Sequence, residues 1–205
     1  MKLKVCGLSK QEEVETCVQN KVSYCGFILN YPKSHRYVPF NKAKNLMNIK
    51  KDKTQYVGVL VNPKNDEFET FSKLNLDYFQ LYGNFNNENL AYIKKKYQKK
   101  IISTIQVKNK EDVKKFINIE SESEIILWDS SGYEESLNWD FNWIKSISTS
   151  AKKMLAGNIT VEKLKDLVNL ADIIDVSGAL ETNKVKDINK IKKFITEIKK
   201  INGPN

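Results

Sequence analysis

Two residues that could move a proton lie at the ends of strands predicted far apart in the sequence. Cys6 ends the strand predicted over residues 1–6, and Asp129 ends the one over 124–129. A thiol, with an ordinary pKa of about 8.5, can act as a base when a positive neighbour favours its thiolate. A carboxyl can act as an acid when burial raises its pKa. Position alone leaves an alternative open, in which Cys6 only packs in the core and Asp129 only caps a turn.

Two glycine-containing turns follow the last two predicted strands. Gly157-Asn158 follows the strand over 153–156, and Ser177-Gly178 follows the strand over 172–176. Barrels commonly bind phosphate at the loops after strands seven and eight, through exposed backbone N–H groups. Taken alone, a glycine after a strand is more often required by the turn itself than by a ligand. The two together predict a phosphorylated small-molecule ligand.

Arg36 is the only arginine among 34 basic residues. Its planar guanidinium can hold a carboxylate through two parallel hydrogen bonds, which a lysine cannot do. We therefore predict that Arg36 binds a carboxylate of the substrate. Gly7, next to Cys6, turns the chain into a helix that we expect Ser9 to cap, and we count Gly7 among the substrate-binding residues.

Strands and helices alternate through the whole chain to position these residues. The hydrophobic pattern gives eight strands, over residues 1–6, 22–29, 55–62, 78–81, 101–107, 124–129, 153–156 and 172–176, with helices between them. The inward faces of these helices are predicted to include Ile117 and Val168. Eight such units predict a single-domain (β/α)8 TIM barrel spanning residues 1–205. An open doubly wound sheet is the alternative, but Cys6-Gly7-Leu8 lacks the G-x-G-x-x-G dinucleotide fingerprint.

The composition indicates a soluble globular protein, with 40% hydrophobic and 29% charged residues. We find neither an apolar run of the ~18 residues that span a membrane nor a signal-peptide pattern, so we expect a cytoplasmic protein that does not bind membranes. Its cysteines, Cys6, Cys17 and Cys25, form no C-x-x-C pair. We therefore expect neither a disulfide framework nor a zinc site, and we expect Cys17 and Cys25 to lie in the core.

The net charge of +9 raises a hypothesis of another class, a basic nucleic-acid-binding protein. Such a protein would cluster lysines on one face and interleave them with exposed aromatic residues. Here the lysines are spread over the predicted helices, while most aromatic residues lie at inward positions. We therefore expect no nucleic acid partner.

Short segments along nearly the whole chain resemble, in order and spacing, the phosphoribosylanthranilate isomerases of tryptophan biosynthesis. The segments are Lys4-Val5-Cys6-Gly7-Leu8, Gly26-Phe27-Ile28, Pro32-Lys33-Ser34-His35-Arg36-Tyr37-Val38, Val57-Gly58-Val59-Leu60-Val61-Asn62, Phe79-Gln80-Leu81-Tyr82-Gly83, Leu127-Trp128-Asp129-Ser130, Leu155-Ala156-Gly157-Asn158-Ile159, Asp175-Val176-Ser177-Gly178 and 181–187.

The resemblance implies an Amadori rearrangement of N-(5-phosphoribosyl)anthranilate. Cys6 would be the general base that takes the C2′ proton, and Asp129 the general acid that protonates the furanose oxygen. Arg36 would hold the anthranilate carboxylate, while the turns at Gly157-Asn158 and Ser177-Gly178 would hold the phosphate. No metal or cofactor is implied, and we expect a monomer or a homodimer.

The chain departs from the family pattern at several positions. Tyr82 replaces a common histidine, residues 131–136 replace a Gly-Gly-Thr-Gly loop that we expect to act as a lid, and Lys184 replaces a glycine. The glycine of Ser177-Gly178 is also moved by one position. Other phosphate-binding barrels remain as alternatives, but histidine-pathway isomerases use two aspartates and indole-glycerol-phosphate synthase uses a lysine with glutamates, and Cys6 with Asp129 fits neither.

Overall fold

Eight parallel strands close into a barrel in the computed structural model, which describes residues 1–130 and 137–203. The strands are β1 Lys2–Cys6, β2 Tyr24–Ile28, β3 Gln55–Val61, β4 Tyr78–Tyr82, β5 Lys100–Val107, β6 Ile125–Ser130, β7 Lys152–Leu155 and β8 Ile173–Val176. β1 pairs with both β2 and β8, which closes the sheet. The predicted (β/α)8 barrel is confirmed.

Helices cover the outside of the barrel. They are α1 Gln11–Gln19, α2 Phe40–Leu46, α3 Asn65–Ser72, α4 Asn87–Tyr97, α5 Leu164–Leu167 and α6 Ile188–Asn202. A two-stranded hairpin, β9 Glu181–Thr182 and β10 Val185–Lys186, follows the barrel. In the part of the chain that is described, no helix is both long enough and apolar enough to cross a membrane.

The covering between β5 and β8 is built largely from 3₁₀ turns. The 3₁₀ segments are Lys110–Asn118, Glu120–Glu122, Phe141–Ile144 and Val161–Lys163, with a further one at Gly178–Leu180. A 3₁₀ helix has three residues per turn, so Val113 and Phe116 share a face and Ile117 is rotated away from it. Ile117 is 61% exposed, so its predicted inward position is wrong. Val168 is 37% exposed because α5 ends at Leu167.

The start of α1 differs from the prediction at Ser9. The helix begins at Gln11, and Lys10 is the N-cap residue. The buried Glu13 carboxylate accepts hydrogen bonds from the Ser9 and Lys10 N–H groups, at 2.7 and 3.0 Å. Ser9 therefore donates through its backbone, and its hydroxyl does not cap the helix. A carboxylate at a helix N-terminus is also favoured by the helix dipole.

Apolar side chains fill both the space under the helices and the lower barrel. Cys17 and Cys25 are fully buried and unpaired, as predicted. The barrel interior is closed by a separate apolar cluster of Tyr24, Val57, Tyr78, Ile102, Ile125, Leu127, Met154, Ala156 and Ile173. Toward the carboxyl ends of the strands the interior becomes polar, because buried Lys4, Gln80 and Asp175 take the next positions. A buried polar layer therefore lies between this apolar cluster and the carboxyl ends of the strands.

Candidate active site

A cavity that is partly open to solvent lies at the carboxyl ends of the strands. Its lining includes the predicted site residues Cys6, Arg36, Asp129, Gly157, Asn158, Ser177 and Gly178, together with Tyr31, Tyr82 and Asp175 and apolar residues of β2, β3 and β8. The barrel thus brings together residues that are up to 172 positions apart in the sequence.

The Cys6 thiol lies at the bottom of this cavity and is 8% exposed. Burial raises its pKa; the Lys4 ammonium acts in the opposite direction, and the Asp175 carboxylate adds to the rise. Ionisation of this thiol therefore depends on the balance of two buried charges. The backbone carbonyl of Cys6 accepts a hydrogen bond from the Ser177 hydroxyl at 3.0 Å, which ties the end of β1 to the turn after β8.

The Asp129 carboxyl is held by two donors. Tyr82 Oη donates to Oδ2 at 2.6 Å, and the Ser130 N–H donates to Oδ1 at 2.8 Å. Burial raises the pKa of Asp129 to about 6, against the Tyr82 hydrogen bond and with a further rise from Asp175. A carboxyl with this pKa can carry a proton near neutral pH and is suited to acid catalysis.

Arg36 reaches the cavity from the loop after β2 and makes a two-point contact with Glu181. Its Nε and Nη2 donate to the two carboxylate oxygens at 2.5 and 3.0 Å. Lys186 and His35 contact the same carboxylate. Although burial favours the neutral acid, the hydrogen bonds of Arg36 and the charge of Lys186 lower the pKa of Glu181 to about 2. Glu181 is therefore ionised, and its carboxylate fixes the guanidinium of Arg36 in place.

Gly7 contacts the side chain of Arg36 and is not among the cavity-lining residues. Its φ is +77°, and a Cβ there would lie 2.5 Å from Arg36 Cδ. Its N–H is taken by the Gly26 carbonyl at 2.9 Å. Gly7 therefore leaves room for the side chain of Arg36. Its N–H group, which the predicted contact with substrate would use, is already bonded to Gly26.

The turns after β7 and β8 both line the cavity. Gly157 has φ +110° and Asn158 has φ +42°. A Cβ at Gly157 would lie 2.8 Å from the indole nitrogen of Trp139, which donates to the Ala156 carbonyl. Among the described residues, the N–H groups of Gly157, Asn158 and Gly178 have no backbone acceptor. Such groups suit an anion.

Residues 3–197 match the family model described as N-(5'phosphoribosyl)anthranilate (PRA) isomerase. The chain belongs to this family. It is therefore an enzyme, an isomerase of tryptophan biosynthesis. It is similar to the N-(5'-phosphoribosyl)anthranilate isomerases of Streptococcus gordonii, with 31% identity over 97% of both chains, and of Clostridium acetobutylicum, with 30% identity over 98% of both.

Solved phosphoribosylanthranilate isomerases share the barrel. The structure from Thermotoga maritima has a TM-score of 0.85 at 24% identity and covers 96% of this chain and 98% of that one. Another, in complex with reduced 1-(o-carboxyphenylamino)-1-deoxyribulose 5-phosphate, has a TM-score of 0.81 at 24% identity and covers 96% and 97%. At this identity the likeness supports the fold.

Sequence reasoning missed several charged residues of this isomerase's site, namely Lys4, Asp175, Glu181 and Lys186. Two of them left a signal, because Lys4 lies two residues before Cys6 and so shares its face of β1, and Asp175 interrupts an apolar strand. The predicted lid over residues 131–136 lies outside the described residues. Within those residues, no three His, Cys, Asp or Glu side chains come together to hold a metal ion.

Proposed function

We propose that the enzyme converts N-(5-phosphoribosyl)anthranilate to 1-(2-carboxyphenylamino)-1-deoxyribulose 5-phosphate by an Amadori rearrangement. The observation that carries the proposal is one cavity lined by a thiol on β1, a carboxyl of raised pKa on β6 and the two glycine turns after β7 and β8. The reduced product analogue in a related barrel supports the choice of substrate.

Asp129 acts first in the proposed reaction, as the general acid. Its proton passes to the furanose ring oxygen while the bond between that oxygen and C1′ breaks. The anthranilate nitrogen supplies its lone pair to C1′, which gives an open-chain Schiff base cation. The hydrogen bonds from Tyr82 and the Ser130 N–H then stabilise the carboxylate that remains.

Cys6 acts second, as the general base. Its thiolate takes the proton from C2′, and the electrons of that C–H bond form a C1′–C2′ double bond while the nitrogen becomes neutral. The resulting enol then shifts to the ketone at C2′, which is the product. Positioned acid and base groups typically contribute 10²–10⁴-fold each to a rate.

Arg36 and the glycine turns hold the two ends of the substrate in this proposal. A guanidinium has five N–H donors, and Glu181 accepts two of those of Arg36, so three remain for the anthranilate carboxylate. The N–H groups of Gly157, Asn158 and Gly178, with the Ser177 hydroxyl, would bind the phosphate. We keep the predictions of a cytoplasmic monomer or homodimer without a nucleic acid partner.

The direct test is to generate phosphoribosylanthranilate in situ and to follow loss of its anthranilate fluorescence with and without the protein. The proposal predicts rapid, protein-dependent loss. Salt-sensitive RNA retention with no acceleration of this loss would instead favour the nucleic-acid hypothesis and would remove the proposed reaction.

A further inference from the structure

A charged pair is buried in the barrel at the floor of the cavity, which Asp175 lines. Lys4 is fully buried, and its Nζ lies 2.6 Å from Asp175 Oδ2. The two residues are cross-strand neighbours in the pairing of β1 with β8. Burying two charges is costly, and apolar residues of similar volume commonly give equal or greater stability. Stability alone therefore gives no reason for charge at these positions.

The Lys4 ammonium lies against the Cys6 thiol as well. The two side chains point to the same side of β1, because they are two residues apart. Gly26 on β2 pairs with Cys6, and a Cβ there would lie 2.9 Å from the sulfur and 3.2 Å from Lys4 Nζ. The missing side chain of Gly26 thus makes the space in which ammonium and thiol approach each other.

Among the described residues, the titratable groups that act on the thiol or share its cavity come from six strands, β1, β2, β4, β6, β8 and β10. They are Lys4, Asp175, Tyr82, Cys25, Lys186 and Asp129. Two of them are cations. Lys186 contacts Glu181 and Ser177. Lys4 is therefore the cation placed to support a negative charge on Cys6.

We propose that Lys4 is a positioning residue, whose ammonium is anchored by Asp175 and supports the Cys6 thiolate from below. This inference rests on the proposed function, in which that thiolate takes the C2′ proton. When the proton arrives, the negative charge leaves the sulfur, and Lys4 keeps Asp175 as its partner. The pair thus stabilises the base before the transfer and remains neutral as a whole after it.

The test measures alkylation of Cys6 by iodoacetamide against pH, without substrate, by mass spectrometry of the Cys6 peptide. In Lys4→Met, the pH midpoint should rise by at least about one unit, because an opposite charge close to a group shifts its pKa by 1–3 units. The kcat of the isomerase should fall by about 10² while KM stays within about threefold. Lys2→Met, on the same strand but exposed, is the matched control and should leave both unchanged.

The double variant Lys4→Met/Asp175→Asn guards against a folding failure, because it leaves no buried charge unpaired. Its midpoint should also rise, since Lys4 acts on the thiol more strongly than Asp175 does. A folded double variant with the wild-type midpoint and kcat would overturn the proposal. The two proposals can also fail separately. If the variants raise the midpoint but the wild-type protein has no isomerase activity, the result supports the effect of Lys4 on the thiol and counts against the proposed reaction.

Discussion

Tyr82 Oη donates a 2.6 Å hydrogen bond to Asp129 Oδ2 and in turn accepts one from Gln80 Nε2 at 3.3 Å. Burial raises the pKa of the Tyr82 phenol well above its ordinary value, so the phenol stays neutral and acts as a donor to the carboxylate. Tyr82 therefore stabilises the ionised form of Asp129 and holds back the rise in its pKa. Tyr82, which replaces a common histidine, thus adjusts the pKa of the proposed general acid.

The pH profile follows from the two shifted pKa values. In the proposed reaction, the productive form carries one proton on Asp129 and none on Cys6. Below about pH 6 the pair of groups binds a second proton, so that no thiolate is left to act as the base. Above the raised pKa of Cys6 the pair loses its single proton, so that no acid is left. The value of kcat/KM should therefore be level between these limits, with its acid limb set by Asp129.

Tyr82→Phe should move the acid limb to higher pH. Loss of the hydrogen bond to Oδ2 removes a donor that lowers the pKa of Asp129, so that pKa should rise above about 6. Measuring kcat/KM against pH checks this. Tyr78→Phe, the same change at the lower end of β4, is the control. An unmoved limb in Tyr82→Phe would show that the phenol does not adjust the acid.

Asp129→Asn should make the folded protein more stable at neutral pH while it abolishes activity. The unfolded carboxyl has a pKa of about 3.9 and the folded one about 6, so the folded state holds more protons between these values. Wild-type stability therefore falls as the pH rises through this window, by about 1–3 kcal/mol.

Denaturant unfolding at a series of pH values checks this prediction. The advantage of Asp129→Asn should appear between about pH 4 and 6, and be absent below that range. Asp166→Asn, at an exposed aspartate of α5, should give no such window. An advantage of equal size at low pH would mean that ionisation of Asp129 is not its cause.

Gly7→Ala should weaken substrate binding by displacing Arg36. The added Cβ would lie 2.5 Å from Arg36 Cδ. Arg36→Ala gives the reference value, because it should lose roughly 1.5–3 kcal/mol of substrate-binding free energy, as expected for hydrogen bonds to a charged group. Gly7→Ala should raise KM in the same direction by about tenfold or more.

Gly203→Ala is the matched control for Gly7→Ala. Gly203 has φ +78°, almost the value at Gly7, but no atom lies within 4 Å of its Cβ position. Both variants place an alanine at a positive φ, and only Gly7→Ala brings a Cβ against Arg36. Equal KM values for the two would refute the spacing role of Gly7, and an unchanged KM in Arg36→Ala would refute the carboxylate contact.

Lys184→Gly should stabilise the β9–β10 hairpin. Asn183 and Lys184 have φ +50° and +60° at the turn, a conformation that two-residue hairpins require and that glycine adopts without strain. We expect a rise in Tm of about 1–4 °C with kcat unchanged. Lys184→Ala removes the charge but keeps the strain and should give no gain. An equal rise in both variants would point to charge as the cause.

The fold and most of the site were predictable because they depend on local patterns. Alternating apolar strands and helices predict the barrel, and strand ends predict which side chains line one cavity, as Cys6 and Asp129 do. The 3₁₀ segments were not predictable, because short stripes such as that around Val113 and Phe116 fit both helix types. Ile117 was misplaced for this reason.

The contact between Lys4 and Asp175 could not be predicted from the sequence alone. A closed barrel already implies that β1 pairs with β8, but the sequence alone does not give the register that places Lys4 opposite Asp175. The two-point contact expected of Arg36 is present, but the carboxylate belongs to Glu181 of the same chain. Pattern and charge predicted the kind of interaction, and only the structure could identify its partner.

The central claim is tested most directly by the kcat of Cys6→Ala in the phosphoribosylanthranilate assay, with wild-type protein and Cys25→Ala, which removes a buried core thiol, measured beside it. The account predicts that Cys6→Ala folds normally and loses about 10²–10⁴ in kcat, while Cys25→Ala keeps its activity to the extent that it stays folded. Near-normal turnover in Cys6→Ala would contradict the role of Cys6 as the base.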